Sequence, residues 1–316
     1  TFIYINGNYK KQAEILRIAI NQAREKEFLG KGILGSAIDI EMEIFEGAGA
    51  YICGEETALI NSIEGKRGEP RLKPPFPPVS GLFGKPTIVN NAETLVNVPH
   101  IIRQGAKKYS QIGSSTSPGT KFFLLEGAVR NKGVFEAPLG ITAQELIYDS
   151  LYGNGLEVGK EFWFAQIGGA SGRLLPVGKL DQLLVYPRTN STGLIKSSQD
   201  KNKIGAGVNG DCEYPVGSGS ILVVDKNSDI REYLLSWAGF FHRESCGKCV
   251  SCREGTYRLW EIAKRMKNND LREKDRENIE DILWTLSNTT FCPLGKFSAN
   301  AWSDAIKMFP DKIFKD

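Results

Sequence analysis

The chain of 316 residues has almost no net charge: 40 Lys and Arg stand against 37 Asp and Glu, leaving +3. So small an excess gives no electrostatic case for a nucleic-acid partner or an anionic membrane surface. No apolar run approaches the ~20 residues of a membrane-spanning helix, and no stretch has the basic, apolar and small-residue order of a secretory signal. The chain opens at Thr1 without a Met and reads at once as a strand, as expected of a fragment or a processed product. It also lacks the two separated Cys-x2-Cys pairs that zinc prefers around its tetrahedron. What is present is ordinary for globular domains: 41% hydrophobic and 24% charged residues, in a length that accommodates two or three domains with ample core.

The cysteines carry the first chemical signal. Cys246, Cys249 and Cys252 stand at i, i+3 and i+6 in ESCGKCVSCREGT, and Cys292 follows in FCPLG. Repeated two-residue gaps let one loop reach three corners of a cubane while a remote thiolate supplies the fourth, so the spacing reads as a 4Fe–4S site. Zinc and unligated buried thiols are the alternatives. Four cysteines in cluster spacing point to a reducing, cytoplasmic compartment. Cys53 and Cys212 are left over and read as buried, inert thiols. His242, four residues before Cys246, reads as a structural histidine, since four thiolates already complete a cluster. Lys248 and Arg253 either offset the cluster's negative charge or are simply solvated.

From the start, residues 1–6 (TFIYIN) read as a strand. Residues 9–28 read as an amphipathic helix with Ala13, Leu16, Ala19, Ile20 and Ala23 on one face. Residues 38–45 alternate Ile38, Ile40, Met42 and Ile44 against acidic neighbours, as a half-buried strand does. Together these make one βαβ unit. A small-residue loop and a helix at 55–63 follow in EGAGAYICGEETALI. Glu55 and Glu56 at that helix start would repel a phosphate but suit a ribose or an amide; the plainer reading is that they only stabilise the helix dipole. In RLKPPFPPV, prolines hold Lys73 and Phe76 on a stiff loop. Lys73 suits phosphate or ribose and Phe76 suits adenine stacking, unless this is a plain surface loop with Phe76 tucked into the core. Asn90 and Asn91 end a short apolar run, either to contact a polar ring edge or as turn and cap residues.

The words GAGAYICGEETAL, PRLKPPFP, GLFGKPT with VNNAETL, and the Cys triple with CREGT and the later CPLG stand in this order along the chain. In this the chain resembles the NADH- and FMN-binding flavoprotein subunit of respiratory complex I and the related subunits of NAD-dependent hydrogenases and formate dehydrogenases. The resemblance covers essentially the whole chain. It implies hydride transfer from NADH to FMN and single electrons onward to a 4Fe–4S cluster held by Cys246, Cys249, Cys252 and Cys292. Tyr51, Gly54, Glu55 and Glu56 would border flavin and nicotinamide, with Glu56 nearest the nicotinamide. Lys73 and Phe76 would hold NADH, Asn90 and Asn91 would contact FMN, and Leu294 and Gly295 would lie near the flavin. Implied partners are a small thioredoxin-like 2Fe–2S subunit and a further iron–sulfur electron-acceptor subunit, in a complex that can be peripheral to a membrane.

The family's glycine-rich flavin loop and Asn-x-Asp-Glu stretch, which precede the region where Thr1 stands, are not in this sequence. That leaves a second expectation: an electron-transfer and docking module that does not oxidise NADH by itself. A zinc-stapled structural protein is a third. The stretch 189–213 is longer than the family pattern leads one to expect.

The remaining chain divides by pattern. Residues 110–119 (SQIGSSTSPG) read as a linker. Strands are expected at 121–129, 133–137, 162–167 and 221–224, with a short helix at 142–151 capped by Thr142. From 228 on the pattern is helical, at 229–243, 254–267, 271–287 and 298–308. The expected fold is α/β plus α+β. A partial α/β nucleotide and flavin domain spans 1–118, a small β-grasp-like domain 119–227, and a helical bundle carrying the iron–sulfur cluster 228–316.

Overall fold

The computed structural model describes residues 1–186 and 213–314. Cys212 and the polar stretch singled out above, apart from Glu213, lie outside the described residues. The chain forms two compact units, one of Thr1–Val89 with Glu244–Lys248, the other of Asn90–Arg243 with Cys249–Asp316. Strands and helices are mixed up to Asp225, and from Ile230 to Ile313 every described element is a helix.

In the first unit, β1 (Phe2–Asn6) and β2 (Glu43–Gly47) pair in parallel, Phe2 opposite Glu43 through Asn6 opposite Gly47. Between them α1 (Lys10–Glu25) buries Ala13 and Ile20 of the expected stripe, with Leu16 and Ala23 half-buried and Ala19 exposed. The second strand overlaps the 38–45 stretch that the alternation predicts only at 43–45: it starts five residues later, at Glu43, and runs to Gly47. Ile40 instead bridges Gly30, Asp39 receives the Gly32 N–H at 2.8 Å, and Ile38 is exposed. This turn occupies the backbone groups a strand would need, so pairing starts at Glu43. Past β2 the chain makes a 3-10 turn at Tyr51–Gly54 and enters α2 (Glu56–Ile63). Tyr4 ties the pieces together: its ring stacks on Phe45 with centroids 5.6 Å apart, and its hydroxyl meets the Ser62 hydroxyl at 3.0 Å. A Cβ on Gly47 would collide with the Tyr4 ring, so β2 has to end in glycine there.

The second unit begins with α3 (Ala92–Gln104) and α4 (Ala106–Tyr109). Its strands are β3 (Thr120–Gly127), β4 (Gly133–Pro138), β5 (Phe162–Ile167), β6 (Arg173–Pro176), β7 (Leu183–Val185), β8 (Glu213–Pro215) and β9 (Ser220–Asp225). Five of them form one sheet in the order β4-β3-β9-β5-β6, while β7 and β8 pair separately. Strands β3 and β9 run parallel, and the other neighbours in the sheet run antiparallel. Between β4 and β5 lies α5 (Ala143–Tyr148), capped as expected: Thr142 accepts the Glu145 N–H, and Glu145 accepts the Thr142 N–H.

The helices that follow are α6 (Ile230–Glu244), α7 (Val250–Lys267), α8 (Asp275–Thr289), α9 (Pro293–Ser298), α10 (Asn300–Met308) and α11 (Pro310–Ile313). Helix α7 starts four residues before the pattern suggests, so Cys252 lies inside its first turn. The sheet separates two cores. Phe123, Leu125, Leu146, Ile147, Ile167 and Ile221 pack together on one side. On the other, Phe164 and Val224 pack with Leu234, Trp237, Leu259, Leu286 and Trp302 of the helices. Asp304 of α10 joins sheet to helices: it receives Arg173 Nε at 2.7 Å and the Leu174 N–H at 3.0 Å.

Candidate nucleotide and iron–sulfur site

The start of α2 is an arrangement of charge rather than a bare helix end. Glu55 is the cap residue; its carboxylate accepts the N–H groups of Thr57 and Ala58, each at 2.9 Å, and the Thr57 hydroxyl at 2.5 Å. Lys73 reaches across from the proline loop to Glu55 at 3.0 Å and Glu56 at 2.6 Å. Burial pushes the Glu55 carboxyl up, but the bonds from Thr57, Ala58 and Lys73 outweigh it and hold it below the usual carboxylate range. Burial likewise works against the Lys73 charge, and Glu56 and Glu55 outweigh it and hold its ammonium above the ordinary lysine value. The two carboxylates therefore share one fixed cation, and Glu56, 40% exposed, is the open member.

Arg71 fixes this height. Its N–H donates to the Thr57 hydroxyl at 2.8 Å, its Nε to Asn61 at 2.8 Å, and its guanidinium to the Gly81 carbonyl at 3.1 Å. It also pairs with Glu64 at 2.8 Å. Arg71, against the cost of burial and with help from Lys66 and the Phe83 N–H, holds the Glu64 carboxyl down at about 2. One residue thus staples α2 to the loop that presents Lys73. Two positions on, Lys73–Pro74 and Pro74–Pro75 are cis, and Phe76 is 54% exposed rather than tucked into the core. Tyr51 is also largely exposed, and a side chain built on Gly54 would meet only open space. Cys53 is buried, with its Sγ against Gly68.

Tyr51, Gly54, Glu55, Glu56, Lys73 and Phe76 all belong to the first unit. Asn90, Asn91, Leu294 and Gly295 belong to the second. There Asn91 caps α3 by accepting the Glu93 N–H at 2.8 Å, and Asn90 is exposed. Leu294 is buried on α9, and a Cβ on Gly295 would sit 2.5 Å from Thr290 Cγ2, so packing alone already requires that glycine.

Cys246 lies in the loop after α6, and the Arg67 guanidinium donates to its carbonyl at 2.6 Å. Lys248 donates to the Pro70 carbonyl at 2.6 Å and pairs with Glu69 at 3.3 Å, and Glu244 accepts the Tyr51 N–H at 2.9 Å. Nothing in the local sequence marks Arg67, Arg71 or Glu244; the Tyr51–Glu244 contact joins residues 193 apart. Cys249 is the cap residue of α7, Cys252 is buried one turn in, and Cys292 caps α9 with Pro293 at its first position. The Thr289 hydroxyl donates to Ser251 at 2.7 Å, linking the segment before Cys292 to the first turn of α7. His242 stacks on Trp260 with centroids 4.9 Å apart, which is a packing role.

Among the described residues, no three His, Cys, Asp or Glu side chains stand close enough to hold a single metal ion. The donor set is soft throughout, and two thiol-bearing caps sit at helix starts, where backbone N–H groups favour a negatively charged group. The residues fit a 4Fe–4S cluster. No helix among the described residues is long and apolar enough to cross a membrane.

Comparison with known proteins identifies the family. The family model for the Nuo51 FMN-binding domain matches residues 1–100, and that for the NADH-ubiquinone oxidoreductase-F iron–sulfur binding region matches residues 232–315. The F subunit of the NADH-quinone oxidoreductase of Aquifex aeolicus is 38% identical over 98% of this chain and 66% of its own length. The HndC subunit of the NADP-reducing hydrogenase of Solidesulfovibrio fructosivorans is 40% identical over 94% of this chain and 56% of its own. The F 2 subunit of the NADH-quinone oxidoreductase of Rhizobium meliloti is 36% identical, over 98% and 68%. A solved NAD+-reducing [NiFe]-hydrogenase in the H2-reduced state superposes with a TM-score of 0.81 at 29% identity, over 99% of this chain and 48% of that one. The chain thus spans between 56% and 68% of the curated relatives named here. It belongs to the family of NADH-quinone oxidoreductase F subunits, with that family's FMN-binding and 4Fe–4S-binding regions.

Proposed function

We propose that the chain is the NADH-oxidising, electron-transferring part of a larger oxidoreductase. FMN, when bound, supplies hydride acceptance from NADH and one-electron release, and the 4Fe–4S cluster supplies the one-electron acceptor. The chain's own residues bind and orient. Lys73 meets the phosphates or ribose of NADH, and Phe76 offers its exposed ring to adenine. Glu55 and Glu56 receive hydrogen bonds from the ribose or the nicotinamide amide, with Glu56 nearest the nicotinamide. Tyr51 and Gly54 border the flavin; Asn90, Asn91, Leu294 and Gly295 complete its contacts. Cys246, Cys249, Cys252 and Cys292 ligate the cluster. No side chain has to move a proton, because the hydride is transferred between cofactors. Partners are a small thioredoxin-like 2Fe–2S subunit and a further iron–sulfur acceptor subunit, at the cytoplasmic side.

The observation that carries this reading is the Lys73–Glu55–Glu56 constellation on a rigid strap next to exposed Phe76. A polar site with one cation and one open carboxylate suits a dinucleotide's ribose and amide better than a bare phosphate. The Glu56→Gln variant of the complete enzyme tests it: KM for NADH rises and kcat/KM falls roughly 10-fold or more, the weight of one charge-assisted hydrogen bond. Unchanged NADH affinity and turnover would remove Glu56 from the site.

A further inference from the structure

The loop that carries Cys246 is fastened at three points to the segments that carry Tyr51 and Lys73. Glu244 holds the Tyr51 N–H at 2.9 Å, Arg67 holds the Cys246 carbonyl at 2.6 Å, and Lys248 holds the Pro70 carbonyl at 2.6 Å. All of these residues lie within one compact unit. Pro70 is buried, Arg71 is anchored on α2, and Lys73 pairs with Glu55 and Glu56. Only Arg71 and Leu72 separate the buried Pro70 from Lys73, and the prolines that follow leave little slack. One short segment, 67–73, thus carries at one end the Lys73 contact with the two carboxylates and at the other the Arg67 contact with the carbonyl of Cys246.

We propose that Arg67 is a positioning residue that links nucleotide binding to reduction of the cluster, by tying the Cys246 loop to the Lys73 strap. The inference rests on the functional reading above. Two consequences follow from charge and linkage. A guanidinium on the Cys246 carbonyl stabilises the more negative, reduced cluster and so raises its reduction potential. Coupling between two equilibria is reciprocal, so NAD+ changes the equilibrium constant for cluster reduction by the same factor by which reduction changes NAD+ affinity, and the midpoint moves with the logarithm of that factor.

The test is a redox titration of the cluster in the complete enzyme, followed by electron paramagnetic resonance with and without NAD+, for the wild type, Arg67→Met and Arg67→Lys. The wild-type midpoint is expected to move when NAD+ is added. R67M is expected to have a lower midpoint without nucleotide and to lose the NAD+-dependent shift, and R67K to recover part of both. R67M with the wild-type midpoint and the full NAD+ shift would overturn the proposal. So would a wild-type cluster whose midpoint NAD+ does not move while NAD+ demonstrably binds. A wild-type enzyme with no iron–sulfur signal at all would instead overturn the functional reading, and this inference with it.

Discussion

Lys73 and Arg71, two positions apart, divide the work of the proline loop. Arg71 is spent on structure, binding Thr57, Asn61, Gly81 and Glu64, while Lys73 meets the two carboxylates at the open end of α2. The Arg71–Glu64 pair has a pH signature. Glu64 titrates at about 2 in the folded chain against an ordinary 4.5. A depressed carboxyl contributes stability that is complete above its unfolded value and fades as pH falls toward the folded one. Glu64→Gln is therefore expected to lower the melting temperature at pH 7, and the difference from wild type is expected to shrink steadily between about pH 5 and pH 2. Thermal unfolding at a series of pH values measures it; a difference that stays constant with pH would mean the pair contributes nothing through charge.

Among elements, the tie between sheet and helices is Asp304, which takes a two-pronged contact from Arg173 and the Leu174 N–H. Asp304 is 8% exposed, and leaving Arg173 without its carboxylate costs about 2–3 kcal/mol, below the fully buried case because Arg173 keeps some solvent. Asp304→Asn should show that loss in the denaturant midpoint. Gly47→Ala is expected to cost about 1–3 kcal/mol by displacing the Tyr4 side chain that packs β1, β2 and α2 together, and Tyr4→Phe in the same background should relieve only part of that cost, since the added Cβ would stand 2.0 Å from the hydroxyl but also 2.4 Å from the ring carbon Cζ.

How far such elements can be read in advance depends on how local their causes are. Thr142 with Glu145 announces α5 because a capping box is written within four residues. The alternation at 38–45 suggests a strand with the right period but the wrong start, because the Gly30–Ile40 bridge that competes for its backbone is tertiary. The start of α7 is hidden because Gly247, Lys248 and the cysteines around them look like loop chemistry, yet Cys249 is a helix cap. Strands β6, β7 and β8 are three or four residues long, too short to show a period. At the site, Glu55, Glu56 and Lys73 are legible from residue type and a stiff loop. Their mutual ion pair is not, nor are Arg67 and Glu244, whose partners stand 179 and 193 residues away.

At the scale of the whole molecule, the FMN-binding and iron–sulfur regions of the family stand in one chain, at residues 1–100 and 232–315, and electron flow from one to the other is the central claim. The cysteine roles divide accordingly. Cys252→Ser is expected to lose the cluster, read as lost iron and acid-labile sulfide, whereas Cys53→Ser, a buried thiol against Gly68, is expected to keep both and to lose only stability. The most direct measurement is an anaerobic titration of the complete enzyme with NADH, following flavin absorbance and the paramagnetic signal of the cluster together. NADH is expected to bleach the flavin and bring up the signal of a reduced 4Fe–4S cluster, and C252S to retain the bleaching without that signal. Flavin that NADH leaves oxidised, or a protein that holds zinc and no acid-labile sulfide, would contradict the claim.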